Sequence, residues 1–221
     1  MNLRNSALML TITTSSMITG RRIIKLTYIK KFGGGYEEKA SIFDNITPDD
    51  LIMAFFPCTR FEAQILLHYR GEAVQMKGYS DIQKLEKDLE LHSELSENYE
   101  LITKLAIIVL KRSLKMVFEN PWSTQHYLTN YWCLKPKIID HDRRLNGDYM
   151  TKPTQYWFIG FEPKQNLVFE PLDWVEYRTH QGMKSKNGLD KTKRRSEIHP
   201  QYANRFIRQY LIDERKSNEQ F

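Results

Sequence analysis

The apolar residues of the chain fall into short runs separated by polar turns, and this pattern predicts the first elements. β-branched residues dominate Ala7–Thr14 and Arg22–Ile29, which predicts two short strands. Leu51–Pro57 is a continuous apolar run of strand length between turn signals, so we expect a strand buried on both faces. Lys115–Pro121 has the same character and ends at a proline.

A long segment with helical spacing separates these two buried strands. Apolar residues recur among Glu and Lys from about Asp81 to Lys115, which predicts one long helix or two joined helices. A strand, a helix and a strand in this order predict a crossover connection and therefore parallel pairing.

The second half of the chain is mixed. Lys137–Asp142 and Gln155–Phe161 are predicted strands, with a polar loop between them. Residues 178–196 are basic and contain glycine, which predicts a surface loop. Residues 199–213 predict an amphipathic C-terminal helix with Pro200 in its first turn.

Composition narrows the class of protein. A chain of 221 residues with 41% hydrophobic residues has enough apolar side chains for a core, which argues against wholesale disorder. The net charge of +6 is compatible with a polyanionic partner but does not identify one. We find no apolar run of the roughly 20 residues that cross a bilayer, so we expect no membrane partner.

The number and spacing of the cysteines indicate the cellular location and argue against a zinc site. Cys58 and Cys133 are the two cysteines and no CxxC motif occurs, so we expect no zinc site. Reduced thiols of this kind predict a cytoplasmic protein.

Two predicted parallel strands end in chemically capable residues. Leu51–Phe56 leads to Cys58, and the strand from Lys115 ends in Glu119 and Asn120. Ligands bind at the carboxyl ends of parallel strands, where a thiol and a carboxylate make a nucleophile and an acid/base pair. Two plainer interpretations stay open: a free Cys after an apolar strand is commonly a core residue, and a Glu there is commonly a cap or surface residue.

The motifs resemble those of DNA (cytosine-5) methyltransferases, in particular a small phage- and prophage-type branch. "FFPCTRF" resembles their Pro-Cys motif and "MVFENPW" their Glu-Asn motif on the following strand. "TKPTQYWF" and "RRSEIHPQ" follow in the order of that branch, and the match covers about Ser41 to Ile212. The resemblance implies a single α/β domain of the Rossmann-like class I methyltransferase type, with a mostly parallel sheet flanked by helices.

The resemblance also implies a mechanism that uses S-adenosylmethionine on DNA. The Cys58 thiolate would add to C6 of an extruded cytosine, and Glu119 would contact ring N3. Positive charge on Arg60 would lower the pKa of the thiol. The cofactor-binding positions implied are Asp44, Pro57 and Asn120. The DNA-binding positions implied are Arg60, Lys152, Thr154, Lys193, Arg194 and Arg195.

The N-terminal part departs from the family. The Gly-x-Gly turn that holds the methionine part of the cofactor is not found, so residues 1–45 are interpreted as a diverged or truncated cofactor half. The alternative function is therefore a non-catalytic methyltransferase-like protein that binds DNA or a partner. A third hypothesis makes Cys58 structural, and "ENPW" fits the amino-methyltransferase motif less well. The basic segment Lys184–Ser196 contacts phosphate or is a solvated loop.

Overall fold

The computed structural model describes residues 8–18, 21–30, 46–56, 58–178 and 197–212. Six strands within these ranges form one sheet in the order β1-β2-β3-β4-β6-β5. The strands are β1 (Leu8–Ile18), β2 (Arg21–Lys30), β3 (Leu51–Phe55), β4 (Lys115–Pro121), β5 (Ile138–Asp140) and β6 (Thr154–Ile159). The helices are α1 (Ile65–Tyr69), α2 (Asp81–Lys111), α3 (Tyr127–Tyr131) and α4 (Pro200–Tyr210).

The sheet is mixed, so the expected α/β class is confirmed but the sheet is not purely parallel. β2, β3 and β4 pair in parallel, whereas β1 pairs antiparallel with β2. Only residues 19 and 20 separate β1 from β2, and a connection this short permits a hairpin but not a crossover.

The predicted crossover from β3 to β4 is confirmed. The short helix α1 and the long helix α2 lie between the two strands in the sequence, and the strands pair side by side in parallel. Ser80 begins α2 through a capping box: its side chain accepts from the Gln83 N–H, and the Gln83 side chain accepts from the Ser80 N–H at 2.9 Å. The prediction of one long helix or two joined helices resolves to one.

Aromatic side chains form the core at β4 and β6, which are neighbouring strands of the sheet. Phe118 on β4 and Trp157 on β6 stack with ring centroids 4.8 Å apart. Trp132, just after α3, packs against Phe118 at 5.7 Å. All three are almost completely buried, which fixes the position of the β4 backbone directly before its polar end.

The chain divides into two compact units. The first consists of residues 1–138 with 155–162, and the second of residues 139–154 with 163–221. The first unit contains β1 to β4 and α1 to α3; the second contains α4. Each unit is described by itself below.

In the second unit, a segment with a polar sequence contains buried charged side chains, which differs from the expectation. Residues 143–153 are predicted as a polar loop, yet Arg143 and Asp148 are almost completely buried. They form an ion pair with each other, and the Arg143 guanidinium also lies 4.5 Å from the centre of the Tyr202 ring on α4. Pairing satisfies both charges, so a segment that is polar in sequence lies inside the unit.

Even the longest helix in the described part of the chain, α2, lacks an apolar stretch that could cross a membrane.

Candidate active site

Cys58 and Glu119 lie at the carboxyl ends of neighbouring strands. The parallel register pairs Phe55, the last residue of β3, with Glu119 on β4. Cys58 follows Phe55 by three residues and is half-buried. Parallel strands carry their carboxyl ends to one edge of the sheet, so the Cys58 turn and Glu119 belong to the same edge.

The segment after Cys58 is attached to the segment after β4. The Cys58 carbonyl accepts hydrogen bonds from the N–H groups of Phe61 and Glu62, at 2.8 and 3.2 Å, which closes a turn. The Phe61 carbonyl in turn accepts from the Tyr127 N–H at 2.8 Å, and the Phe61 ring stacks 6.1 Å from that of Tyr127. This backbone bond joins the turn that follows Cys58 to the first residue of α3.

The end of β4 carries buried polar atoms that have no partner among the described residues. Asn120 is fully buried and donates its amide to the Glu119 carbonyl at 2.7 Å, but its Oδ1 accepts nothing. The Oε2 atom of Glu119 is also buried and without a partner there. An unsatisfied buried acceptor costs about 1–3 kcal/mol, and such atoms concentrate where a ligand is bound.

Gln155 fixes the backbone that follows Asn120. Its Nε2 donates to the Pro121 carbonyl at 2.9 Å, and its Oε1 accepts from the Thr129 hydroxyl at 2.8 Å. The side chain is fully buried on β6. Both functions of the amide are therefore used to hold the turn between β4 and α3, and the sequence pattern does not indicate this residue.

His126 is a buried residue that the sequence pattern does not mark as a candidate functional residue. Its side chain is fully buried, and neither ring nitrogen has a partner among the described residues. Burial lowers its pKa to about 4, so the imidazole is neutral near pH 7. Its ring lies 6.1 Å from Phe61 and 6.3 Å from Trp157. A lone histidine in "STQHYL" follows no periodicity, so the sequence gives no signal for it.

Arg60 is engaged by a carboxylate. Its Nε donates to Glu94 on α2, and both side chains are partly buried. The positive charge expected beside the thiol is therefore offset by a negative one.

Lys152 and Thr154 lie in the second unit and bond to each other. The buried Thr154 hydroxyl donates to the Lys152 carbonyl at 2.7 Å. Lys152 has a φ of +23°, which is strained for a residue with a side chain. The hydroxyl of Thr154 is thus used within the turn.

Five of the predicted site residues lie outside the described residues: Asp44, Pro57, Lys193, Arg194 and Arg195. Among the residues that the structure describes, no group of three His, Cys, Asp or Glu side chains is arranged to hold a metal ion.

The first unit thus has the predicted thiol and carboxylate on two segments that meet the same edge of its sheet. No family model, curated protein or solved structure matches this chain. Neither cysteine forms a disulfide, and Cys58 is the one that follows a strand paired with β4. A thiolate is a strong nucleophile near neutral pH, and a neighbouring carboxyl group can exchange a proton with the reacting molecule.

Proposed function

We propose that the protein transfers a methyl group from S-adenosylmethionine to C5 of cytosine in DNA. One observation carries the proposal: the parallel register that pairs Phe55 with Glu119 and so assigns the Cys58 turn and Glu119 to the same sheet edge. The bond from the Tyr127 N–H to the Phe61 carbonyl supports it, because it joins the two segments beyond the strands. The parallel run β2-β3-β4 also supports a Rossmann-like fold for the first unit.

Cys58 and Glu119 perform the chemistry in this proposal. The Cys58 thiolate forms a bond from Sγ to C6 of a cytosine that has left the stack, while Glu119 hydrogen-bonds ring N3. Electron density then moves to C5, which becomes the nucleophile for the methyl group that bound S-adenosylmethionine would supply, with S-adenosylhomocysteine as the leaving group. Loss of the C5 proton and cleavage of the S–C6 bond restore the ring and the thiolate. A buried Glu119 Oε2 without a partner among the described residues is available to a ring nitrogen.

The cofactor supplies an electrophilic methyl group when bound. Of the three cofactor positions implied by the resemblance, the described residues include Asn120. Its buried Oδ1 accepts no hydrogen bond there, which fits the amino groups that S-adenosylmethionine carries. Asn120 also orients Glu119, because its amide donates to the Glu119 carbonyl.

A second candidate is a methyltransferase-like protein that binds DNA without transferring a methyl group. The ion pair between Arg60 and Glu94 favours it, since the cation expected to activate the thiol is already engaged. The two candidates make the same prediction for DNA binding and differ in turnover.

A paired binding and transfer experiment separates them. Titration with S-adenosylmethionine is followed by methyl transfer to cytosine-containing DNA, using the wild type, Cys58→Ser and the exposed control Cys133→Ser. The first candidate requires binding in all three proteins and transfer in the wild type and Cys133→Ser alone. Cofactor binding with no transfer by the wild type supports the second candidate, and transfer by Cys58→Ser excludes the proposed mechanism.

A further inference from the structure

The second unit exposes large apolar side chains along one short segment. Residues 166–177 read "NLVFEPLDWVEY", and the structure assigns them to neither helix nor strand. Phe169 is 84% exposed and Trp174 is 87% exposed, and Leu167 and Tyr177 are also more than half exposed. Such a concentration of exposed rings and aliphatic groups marks an interaction surface. We name residues 167–177 the aromatic segment.

The backbone of the aromatic segment is fixed rather than loose. The Arg205 guanidinium on α4 donates to the Val168 carbonyl at 3.1 Å, and the Asp173 N–H donates to Gln201 Oε1 at 2.6 Å. At the two flanks, the Asn166 N–H donates to the Gln209 carbonyl at 3.0 Å and the Arg178 N–H to the Tyr149 carbonyl at 2.7 Å. Helix α4 therefore holds the backbone while the rings remain outside.

A surface groove lies at one end of this segment. It is lined by Leu167, Phe169, Glu170 and Arg208. Arg208 forms an ion pair with Glu170, and the resulting hydrogen bond lowers the pKa of that carboxyl group. The lining thus consists of two apolar side chains and a compensated ion pair, which suits an aromatic ring better than a free phosphate.

The residues that follow the aromatic segment in the sequence carry a net positive charge, which attracts a polyanion. Residues 178–195 contain seven Lys or Arg side chains and a single acidic one, Asp190. The aromatic segment itself carries Glu170, Asp173 and Glu176, so phosphates are disfavoured on it, and the basic residues that favour them follow it in the sequence. Exposed aromatic rings and a basic stretch in one chain are the combination that binds unpaired nucleic-acid strands, by stacking and by phosphate contact respectively.

We propose that the aromatic segment is a base-stacking surface for an unpaired DNA strand, with Trp174 and Phe169 as the stacking rings. The inference rests on the proposed DNA partner but not on methyl transfer, because stacking needs no catalytic residue. An unpaired strand is also what remains around a base that has been extruded from a duplex.

Trp174 provides its own probe. Trp132 and Trp157 are buried and Trp122 is half-buried, so Trp174 is the tryptophan most open to quenching by a bound base. Fluorescence is followed while an unlabelled oligo-dT strand, or a duplex of the same length, is added at fixed salt. The variants are Trp174→Ala, Phe169→Ala and Tyr131→Ala; Tyr131 is 72% exposed but lies in the first unit, so it is the matched control.

The expected result is saturable quenching, tighter binding of the single strand than of the duplex, and weaker single-strand binding in the two segment variants. Loss of one stacked base should raise the Kd about 5- to 150-fold, and Tyr131→Ala should leave it unchanged. Affinity by anisotropy of a labelled strand replaces fluorescence for Trp174→Ala.

Three outcomes overturn the inference. Single-strand binding that Trp174→Ala and Phe169→Ala do not weaken leaves the DNA partner in place and removes only the stacking surface. Failure to bind either DNA removes the proposed partner as well. Self-association that Trp174→Ala abolishes, seen by sedimentation without DNA, assigns the segment to a contact between copies of the chain. Absence of methyl transfer bears only on the proposed chemistry, since binding is measured separately.

Discussion

His126 lies in an environment very different from that of a solvated side chain. It is fully buried, and no described residue bonds either nitrogen. A proton on this imidazole would therefore be a buried charge without compensation, which is why burial lowers its pKa to about 4. This environment favours the neutral imidazole, so we expect a fall in pH to affect His126 before it affects the rest of the core.

The pH dependence of stability tests this environment. The pKa of His126 is lower in the folded than in the unfolded state, so its contribution is complete above about pH 6.5 and is lost as the pH falls towards 4. By pH 4 the wild type should lose about 3 kcal/mol of unfolding free energy that His126→Gln does not lose. Urea titrations between pH 7.5 and 4 measure the difference, with the exposed His92→Gln as control. Identical pH profiles for the wild type and His126→Gln would contradict the assignment.

Replacing Gln155 should lower the free energy of unfolding, because two polar groups lose their hydrogen-bond partner. Gln155→Leu keeps the volume but removes the amide, so the Pro121 carbonyl loses its donor and the Thr129 hydroxyl loses its acceptor. We expect a loss of about 1–3 kcal/mol of unfolding free energy. Thr129→Val removes only the hydroxyl donor and should cost less. Urea denaturation of the two variants compares them, and a Gln155→Leu protein as stable as the wild type would show that this amide does not hold the turn.

At the scale of elements, the sequence predicts best where the hydrophobic pattern is continuous. The runs around Leu51 and Lys115 and the helical spacing from Asp81 give β3, β4 and α2, with errors of a few residues at the ends. α1 and α3 have five residues each, which is too short for a 3.6-residue period to appear. The polar pairing of Arg143 with Asp148 is equally invisible, because a buried ion pair and a solvated loop have the same composition.

The turn after β6 depends on a glycine for its packing. Gly160 has a φ of +81°, and a Cβ there would collide with the backbone carbonyl of Leu114. Gly78 is the matched control, since its φ is +89° but a Cβ would meet no atom within 4 Å. Gly78→Ala should cost about 1–2 kcal/mol from the left-handed backbone alone.

Gly160→Ala should therefore cost more than its control. The collision adds about 1–3 kcal/mol, because the obstructing atom belongs to the backbone just before β4 and cannot swing away. Denaturation midpoints of the two variants measure the difference in parallel. Equal destabilisation by both substitutions would mean that the turn at Gly160 does not pack closely against the Leu114 carbonyl.

At the scale of the whole molecule, charge is distributed unevenly along the sequence. The candidate catalytic pair lies in the first unit, whereas most of the excess positive charge follows Tyr177 in the sequence of the second. The resemblance in sequence assigned DNA contacts to Lys193, Arg194 and Arg195, which lie outside the described residues. Charge in a sequence predicts the kind of partner but not the site, because phosphate contacts have no fixed geometry.

Salt dependence tests those contacts directly. If Lys193, Arg194 and Arg195 each neutralise one phosphate, replacing all three with Ala should reduce the slope of log K against log[salt] on duplex DNA by about 2.7. Fluorescence anisotropy across a salt series measures both slopes. The control replaces three lysines of the first unit, Lys84, Lys87 and Lys104, and should leave the slope unchanged. An unaltered slope in the 193–195 variant would exclude these three residues from the interface.

The central claim is that Cys58 attacks a cytosine while Glu119 contacts its ring. DNA with 5-fluorocytosine tests it most directly, because a fluorine at C5 cannot leave as a proton and the S–C6 bond should persist. Intact mass spectrometry after incubation with this DNA and S-adenosylmethionine should reveal one covalent adduct, mapped by peptide analysis to Cys58. It should form in Cys133→Ser, be absent in Cys58→Ser and form far more slowly in Glu119→Gln. An adduct on Cys133, or none at all when both DNA and cofactor are bound, would contradict the claim.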